Sequence, residues 1–195
     1  MNSPCIILAS ASPRRKQLLR EMGLHFTVVL PGEVEESLSG AAPDVLAMRN
    51  AQRKTRAVDG RYRDALVIGA DTIVVLDGEV FGKPRDLDEA VTMLERLAGR
   101  QHEVITAVCL ARRAFGTEIT FADHSRVWMK PLTRTQIEQY FQRVNPLDKA
   151  GAYAAQEHGE TIIDRIEGSF HNVMGLPTER LRATLGKLGM LGAAC

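Results

Sequence analysis

Two short segments, and a few scattered residues, carry side-chain types that could grip a polyphosphate and move a proton. In Ser10-Ala11-Ser12-Pro13-Arg14-Arg15, two hydroxyls and two guanidiniums gather where the apolar run CIILA gives way to a helical pattern. The unpaired N–H groups and the dipole of a helix start attract anions, and the planar donors of arginine match phosphate oxygens. A strand-to-helix turn of this kind is also where open α/β sheets hold ligands. Taken alone, the segment reads equally well as a capped surface helix with two solvated arginines.

The second segment is GADTIVVLDGEVFGK, residues 69 to 83. Asp71 interrupts an apolar strand pattern, and a carboxylate there needs a partner, a metal or a role. Asp77-Gly78 between two apolar runs predicts a two-residue hairpin. Extending that pairing outward sets Leu76 opposite Glu79 and Thr72 opposite Lys83, with Lys83 diagonal to Asp71. An acid, a hydroxyl and an ammonium would then meet at one strand end. The plainer alternative is a surface Asp–Lys pair of little energetic weight.

The remaining candidates are scattered. Glu35 and Glu36 fall in a loop and offer oxygen ligands of the kind Mg²⁺ takes, or form a solvated acidic loop. Lys54 sits mid-helix and reads as a surface lysine. Gln156, after Tyr153-Ala154-Ala155, carries an amide able to pair with a base edge, or is an ordinary loop glutamine.

The elements that must position these groups follow from periodicity and caps. Cys5 to Ala9 reads as a buried strand, and Ser12 with Pro13 as N-cap and first turn of a helix that Gly23 stops. A second strand is expected over Phe26 to Leu30, a polar loop over Glu33 to Ala42, and a helix from Pro43 to Val58. Ala65 to Phe81 is the strongest β signal. Asp86 caps a helix to Leu97, Glu103 to Leu110 and Glu118 to Met129 read as strands, and Thr133 caps a helix to Val144. Trp128 falls in an alternating pattern that predicts a core position. Ala150 to Ile166 is mixed, Pro177 to Leu188 is a last helix, and the tail LGMLGAAC reads as poorly ordered. Alternating strands and helices, then hairpins, predict an α/β domain with a mixed central sheet.

Composition narrows the function classes. The chain has 195 residues with a net charge of +1, so a broad basic surface for nucleic acid is not expected. No row of aromatics offers a platform for single strands. Three cysteines, with no CxxC spacing, argue against a disulfide framework or zinc site. The five histidines form no HExxH or HxH cluster, and GEVFGK followed by Pro84 lacks the Walker A spacing. No apolar stretch reaches membrane length, and nothing resembles a signal peptide, so a cytoplasmic protein is expected.

Over nearly its whole length the sequence resembles the Maf family of nucleoside triphosphate pyrophosphatases. LASASPRRKQLL, VEES, Ala51-x-x-Lys54, GADTIVVLDGEVFGKPRDLDEAVTML, LAGRQHEVITAV, PLDKAGAYAAQ and IEGSFHNVMGLP occur in the family's order. The resemblance implies one α/β domain over residues 1–190, with an elongated mixed sheet flanked by helices and a cleft between two lobes, and residues 191–195 as a disordered tail. It implies hydrolysis of a nucleoside triphosphate to monophosphate and pyrophosphate with Mg²⁺ or a similar ion such as Mn²⁺ or Co²⁺, and often a homodimer. By position, Asp71 would be the proton acceptor, Ser10, Arg14, Arg15, Lys54 and Lys83 the phosphate and nucleotide contacts, and Glu36 with Asp71 the metal ligands. Arg14, Thr72 and Gln156 match positions tied to base choice. The region from GAY to GLP resembles the branch acting on dTTP and UTP. Alternatives are a 7-methyl-GTP or broad non-standard nucleotide pyrophosphatase, and a nucleotide-binding regulator of cell division without turnover. Two departures stand out: Val144-Asn145-Pro146 replaces the family's Gly-Glu-Pro, and Glu157-His158 stand between Gln156 and Gly159 where the family has glycine directly after the glutamine.

Overall fold

Local cap and turn signals become element boundaries wherever their partners lie within one turn of chain. The computed structural model describes residues 6–32, 34 and 40–191. Ser12 caps α1 (Pro13–Glu21) by accepting from the Arg15 amide, and Pro43 opens α2 (Pro43–Asp59). Asp86 caps α3 (Leu87–Leu97), and Thr133 and Gln136 form a reciprocal capping box on α4 (Arg134–Phe141). Asp77-Gly78 joins β3 (Leu66–Leu76) to β4 (Glu79–Phe81), with Leu76 opposite Glu79 as expected.

The strands β1 (Ile6–Leu8), β2 (Thr27–Val28), β3, β4, β5 (Gln101–Arg112), β6 (Thr117–Met129) and β7 (Ile163–Glu167) make one seven-stranded mixed sheet. Its order is β2-β1-β3-β5-β6-β7, with β4 also on β3. β1 runs parallel to β2 and β3, and every other pairing is antiparallel. β3 is buried along nearly its whole length because helices cover both faces. On one face Leu18, Leu19, Leu181 and Leu185 pack on β1 and β3. On the other, Ala47 and Ala51 of α2 pack on Ile73, Ile105 and Ala107. A third cluster around Val74, Leu94, Val127 and Ile137 joins α3 and α4 to the far half of the sheet.

One consequence of this topology creates the site. β1 pairs with β3 only at Leu66–Ile68, and β4 only at Val74–Leu76. Between them, residues 69–73 of β3 have no strand neighbour on that edge among the described residues, while their other edge is paired to β5.

Several expectations change. β2 is two residues long, Thr27 and Val28 pairing with Ile7 and Leu8 of β1. The hairpin does not extend to a Thr72–Lys83 pair. It stops at Val74 opposite Phe81, where the chain turns aside and the Gly82 carbonyl accepts from the Gly151 amide. Thr72 instead faces Thr106 of β5, and Asp71 lies mid-strand rather than at a strand end. Trp128 is only half-buried and lies under the Arg165 guanidinium, while its neighbours Val127 and Met129 take the core positions. Short helices α5 (Gly159–Ile162) and α6 (Phe170–Met174) were not foreseen, and α7 (Thr178–Lys187) was. Within the expected tail, Met190 is buried in the α1/α7 cluster. Residues 192–195, Cys5, Glu35 and Glu36 lie outside the described residues.

Candidate active site

The uncovered stretch of β3 forms the floor of a cavity of about 510 Å³. Its lining includes Ser10, Arg14, Arg15, Lys54, Asp71, Thr72, Lys83 and Gln156, every described residue singled out from the sequence. Glu36, the other ligand expected beside Asp71, lies outside the described residues.

Because side chains alternate along a strand, Asp71 and Thr72 serve opposite faces of β3. Asp71 faces α2. Its Oδ1 accepts from Lys54 Nζ at 2.6 Å, and its Oδ2 from Asn50 Nδ2 at 3.0 Å. Asn50 and Lys54 are four apart on α2 and so share the face that meets the sheet. Both are buried, which overturns the surface reading of Lys54. The close approach depends on Gly69: a Cβ there would lie 2.2 Å from Thr55 Oγ1 and 2.8 Å from the Ala51 carbonyl oxygen. The ammonium beside Asp71 is therefore that of Lys54, and Lys83 stands exposed on the cavity wall.

Thr72 faces the other way, toward α1 and α6. Arg15 donates from Nη2 to Thr72 Oγ1 at 3.0 Å, from Nη1 to Ser10 Oγ at 3.3 Å, and from Nε to the Gly175 carbonyl at 2.8 Å. Gly175, at φ 108°, ends α6 in the left-handed region, and a Cβ there would meet Thr72 Oγ1 at 3.3 Å. Arg15 thus braces three segments around the cavity. Ser10 Oγ accepts both from Arg15 and from the Ser12 amide, so its own proton is what it has left to offer.

Arg14 reaches across to the loop before Gly151. It donates to Asp148 Oδ2 at 3.1 Å and to the Asp148 carbonyl at 3.2 Å. Burial alone would raise the Asp148 carboxyl, but a hydrogen bond from Lys149 and the Arg14 charge outweigh it and hold it below its ordinary value. Asp148 and Lys149 line the cavity and escaped the reading of single residues, although PLDKAGAY was noted as a segment. Gln156 donates from Nε2 to Glu157 Oε1 at 3.0 Å, and a carboxylate only accepts, so the amide orientation is settled. Its Oε1 is buried without a hydrogen-bond partner. Glu157, one of the departures from the family pattern, is thus what orients Gln156. Beneath the cavity, His102 Nε2 and the Tyr153 hydroxyl lie 2.7 Å apart. Burial pushes the histidine down to about 4 and the phenol up.

The sequence profile of the family described as Maf-like protein matches residues 5–188. The chain belongs to the Maf family. A relative from Symbiobacterium thermophilum named dTTP/UTP pyrophosphatase is 46% identical over 184 residues, covering 94% of each chain. One of the same name from Aquifex aeolicus is 42% identical over 188 residues, covering 95% of this chain and 96% of its own. Among solved structures, the Ham1 protein of Staphylococcus aureus superposes with a TM-score of 0.53 at 15% identity, covering 92% of this Maf chain and 98% of its own. At that identity the likeness concerns the fold alone, and it agrees with the mixed, helix-flanked sheet. No helix among the described residues is long and apolar enough to cross a membrane.

Proposed function

We propose that this Maf protein hydrolyses dTTP and UTP to the monophosphate and pyrophosphate. The observation that carries the reading is the meeting, in one cavity, of a buried carboxylate on Lys54 with the arginine-bearing start of α1. The names of the relatives, at 41–46% identity over almost the whole chain, support the substrate.

The triphosphate lies against the α1 start, where Ser10 donates its hydroxyl proton and Arg14 and Lys83 neutralise charge. Phosphoryl transfer asks mostly for such positioning and charge balance. Asp71 takes a proton from the water that attacks the α-phosphorus. The new bond joins water oxygen to phosphorus, the bond to the bridging oxygen breaks, and that oxygen departs with pyrophosphate. Lys54 and Asn50, each bonded to one of its oxygens, keep the Asp71 carboxylate aimed.

A divalent cation such as Mg²⁺ suits this donor set. The described residues hold no group of three metal-ligating side chains, and Mg²⁺ characteristically takes one or two carboxylates plus substrate phosphates. Asp71 and Glu36 would hold it, and when bound it supplies further neutralisation of the phosphate charge.

For the base, the lining offers acceptors. Gln156 Oε1 and Thr72 Oγ1 suit the N–H at ring position 3 of uracil and thymine, and oppose the lone pair that cytosine carries there. Cys109, a buried free thiol that burial makes harder to ionise, is in keeping with a reducing cytoplasm.

The test is pyrophosphate release with Mg²⁺ from dTTP, UTP, CTP, GTP, ATP and 7-methyl-GTP. dTTP and UTP should be cleaved fastest. Fast release from another nucleotide instead would keep the reaction and overturn the base. Release from none would leave only a nucleotide-binding role.

A further inference from the structure

We infer that Thr106, a buried residue outside the cavity lining, helps set base specificity by fixing which way the Thr72 hydroxyl points. The inference rests on the proposed pyrophosphatase reading and extends it to a residue that need not touch the nucleotide.

Each threonine hydroxyl has a single proton to give. Thr106 Oγ1 lies 2.8 Å from the Asn172 carbonyl oxygen, which can only accept, so the single Thr106 proton is spent there. Thr72 Oγ1 lies 3.0 Å from Thr106 Oγ1. Thr106 has no second proton, so Thr72 is the donor in that bond. Thr72 then accepts from Arg15 Nη2. The chain runs in one direction, from Arg15 through Thr72 and Thr106 to the Asn172 carbonyl.

Its far end is anchored. Asn172 is fully buried, and its Nδ2 donates to the Val104 carbonyl and to Ser125 Oγ, each at 3.0 Å. Ser125 in turn donates to the Ser169 carbonyl. Its near end is anchored by the direct pairing of Thr72 with Thr106 across β3 and β5. Thr106 itself is fully buried.

The chemical consequence is a hydroxyl with only a lone pair left for the cavity. Thr72 can receive an N–H from the substrate but cannot give its proton to one. A uracil or thymine presents an N–H at ring position 3; a cytosine presents a lone pair, and two lone pairs would face each other. The neighbouring Ser10 is set the opposite way, accepting twice and keeping a proton for a phosphate oxygen. The two cavity hydroxyls contacted by Arg15 therefore have opposed polarities.

Thr106→Val removes the acceptor while keeping the side-chain shape. The Thr72 proton then turns to the cavity and can meet the ring nitrogen of cytosine. The experiment is pyrophosphate release from UTP and CTP by wild type, Thr106→Val and Thr106→Ser, with thermal melts to confirm folding. The ratio of kcat/KM for CTP over UTP should rise about tenfold in Thr106→Val, the effect expected when one buried lone-pair conflict is relieved. Thr106→Ser keeps the hydroxyl and should keep the wild-type ratio. A role in stability alone would lower both substrates together and leave the ratio unmoved; that result in a folded variant overturns the inference. If Thr106→Val does not fold, Thr106→Ala gives the same reading without the added methyl. Wild type that releases no pyrophosphate from any nucleotide would sink the functional reading, and the inference with it.

Discussion

Replacing Lys54 and Asp71 singly and together separates what their pairing contributes to folding from what it contributes to turnover. The two charges meet at 2.6 Å with side chains 11% and 4% exposed. Lys54→Met leaves the Asp71 carboxylate buried with the Asn50 amide, and stranding one member of a buried pair costs about 3–5 kcal/mol. Asp71→Asn keeps an amide oxygen for Lys54 but removes the charge, with a smaller loss of about 1.5–3 kcal/mol, the worth of a hydrogen bond to a charged group. The double variant has no stranded charge, so it should recover much of the loss, with a coupling of about 2–3 kcal/mol. Turnover should not recover. Asp71→Asn removes the proton acceptor, which lowers kcat by about 10²–10⁴, or about 3–5 kcal/mol of barrier. Urea unfolding and pyrophosphate release from UTP, measured on all four proteins, read the two effects apart. Strictly additive stabilities would refute the buried-pair account. Turnover of Asp71→Asn within about tenfold of wild type would refute the catalytic one.

Two further outcomes follow from the core around the site. Gly69→Ala should cost about 2–3 kcal/mol in urea unfolding and also depress turnover, because α2 must retreat from β3 and carry Lys54 away from Asp71. Thr55→Ala should not rescue it, since the Ala51 main-chain oxygen remains in the way; full rescue would show that α2 adjusts freely. His102 gives a pH dependence. Its folded value is depressed to about 4 from 6.5 by burial, so between those values the unfolded chain binds a proton that the folded chain refuses. Stability therefore falls as pH drops through this window, by about 3 kcal/mol at about 1.4 kcal/mol per unit. Urea midpoints from pH 7 to 4 should show a flatter slope for His102→Gln, and an identical slope would mean that His102 is not buried neutral.

What the sequence determined by itself is the set of local elements and the residues that carry chemistry. Ser12, Asp86 and Thr133 announce helix starts because a cap and the amide it accepts from lie within one turn. Asp77-Gly78 fixes the first pairs of its hairpin for the same reason. Asp71 was conspicuous because an isolated carboxylate in an apolar strand is costly without a partner.

Which partner it has was not legible. The hairpin pointed to Lys83, but Lys54 is the one in contact, 17 residues away and brought in only because Gly69 lets α2 lie against β3. The Thr72–Thr106 contact depends on the register of β3 against β5, across 34 residues, and the Arg14–Asp148 contact spans 134. The loss of strand cover on residues 69–73 depends on where β1 stops pairing with β3 and where β4 begins to, which is decided by the docking of segments far apart in the chain. Spacing along the chain reports only on neighbours within a turn or a hairpin. The polarity of the cavity hydroxyls and the charge next to Asp71 come from the packing of distant elements, and only the tertiary structure decides them.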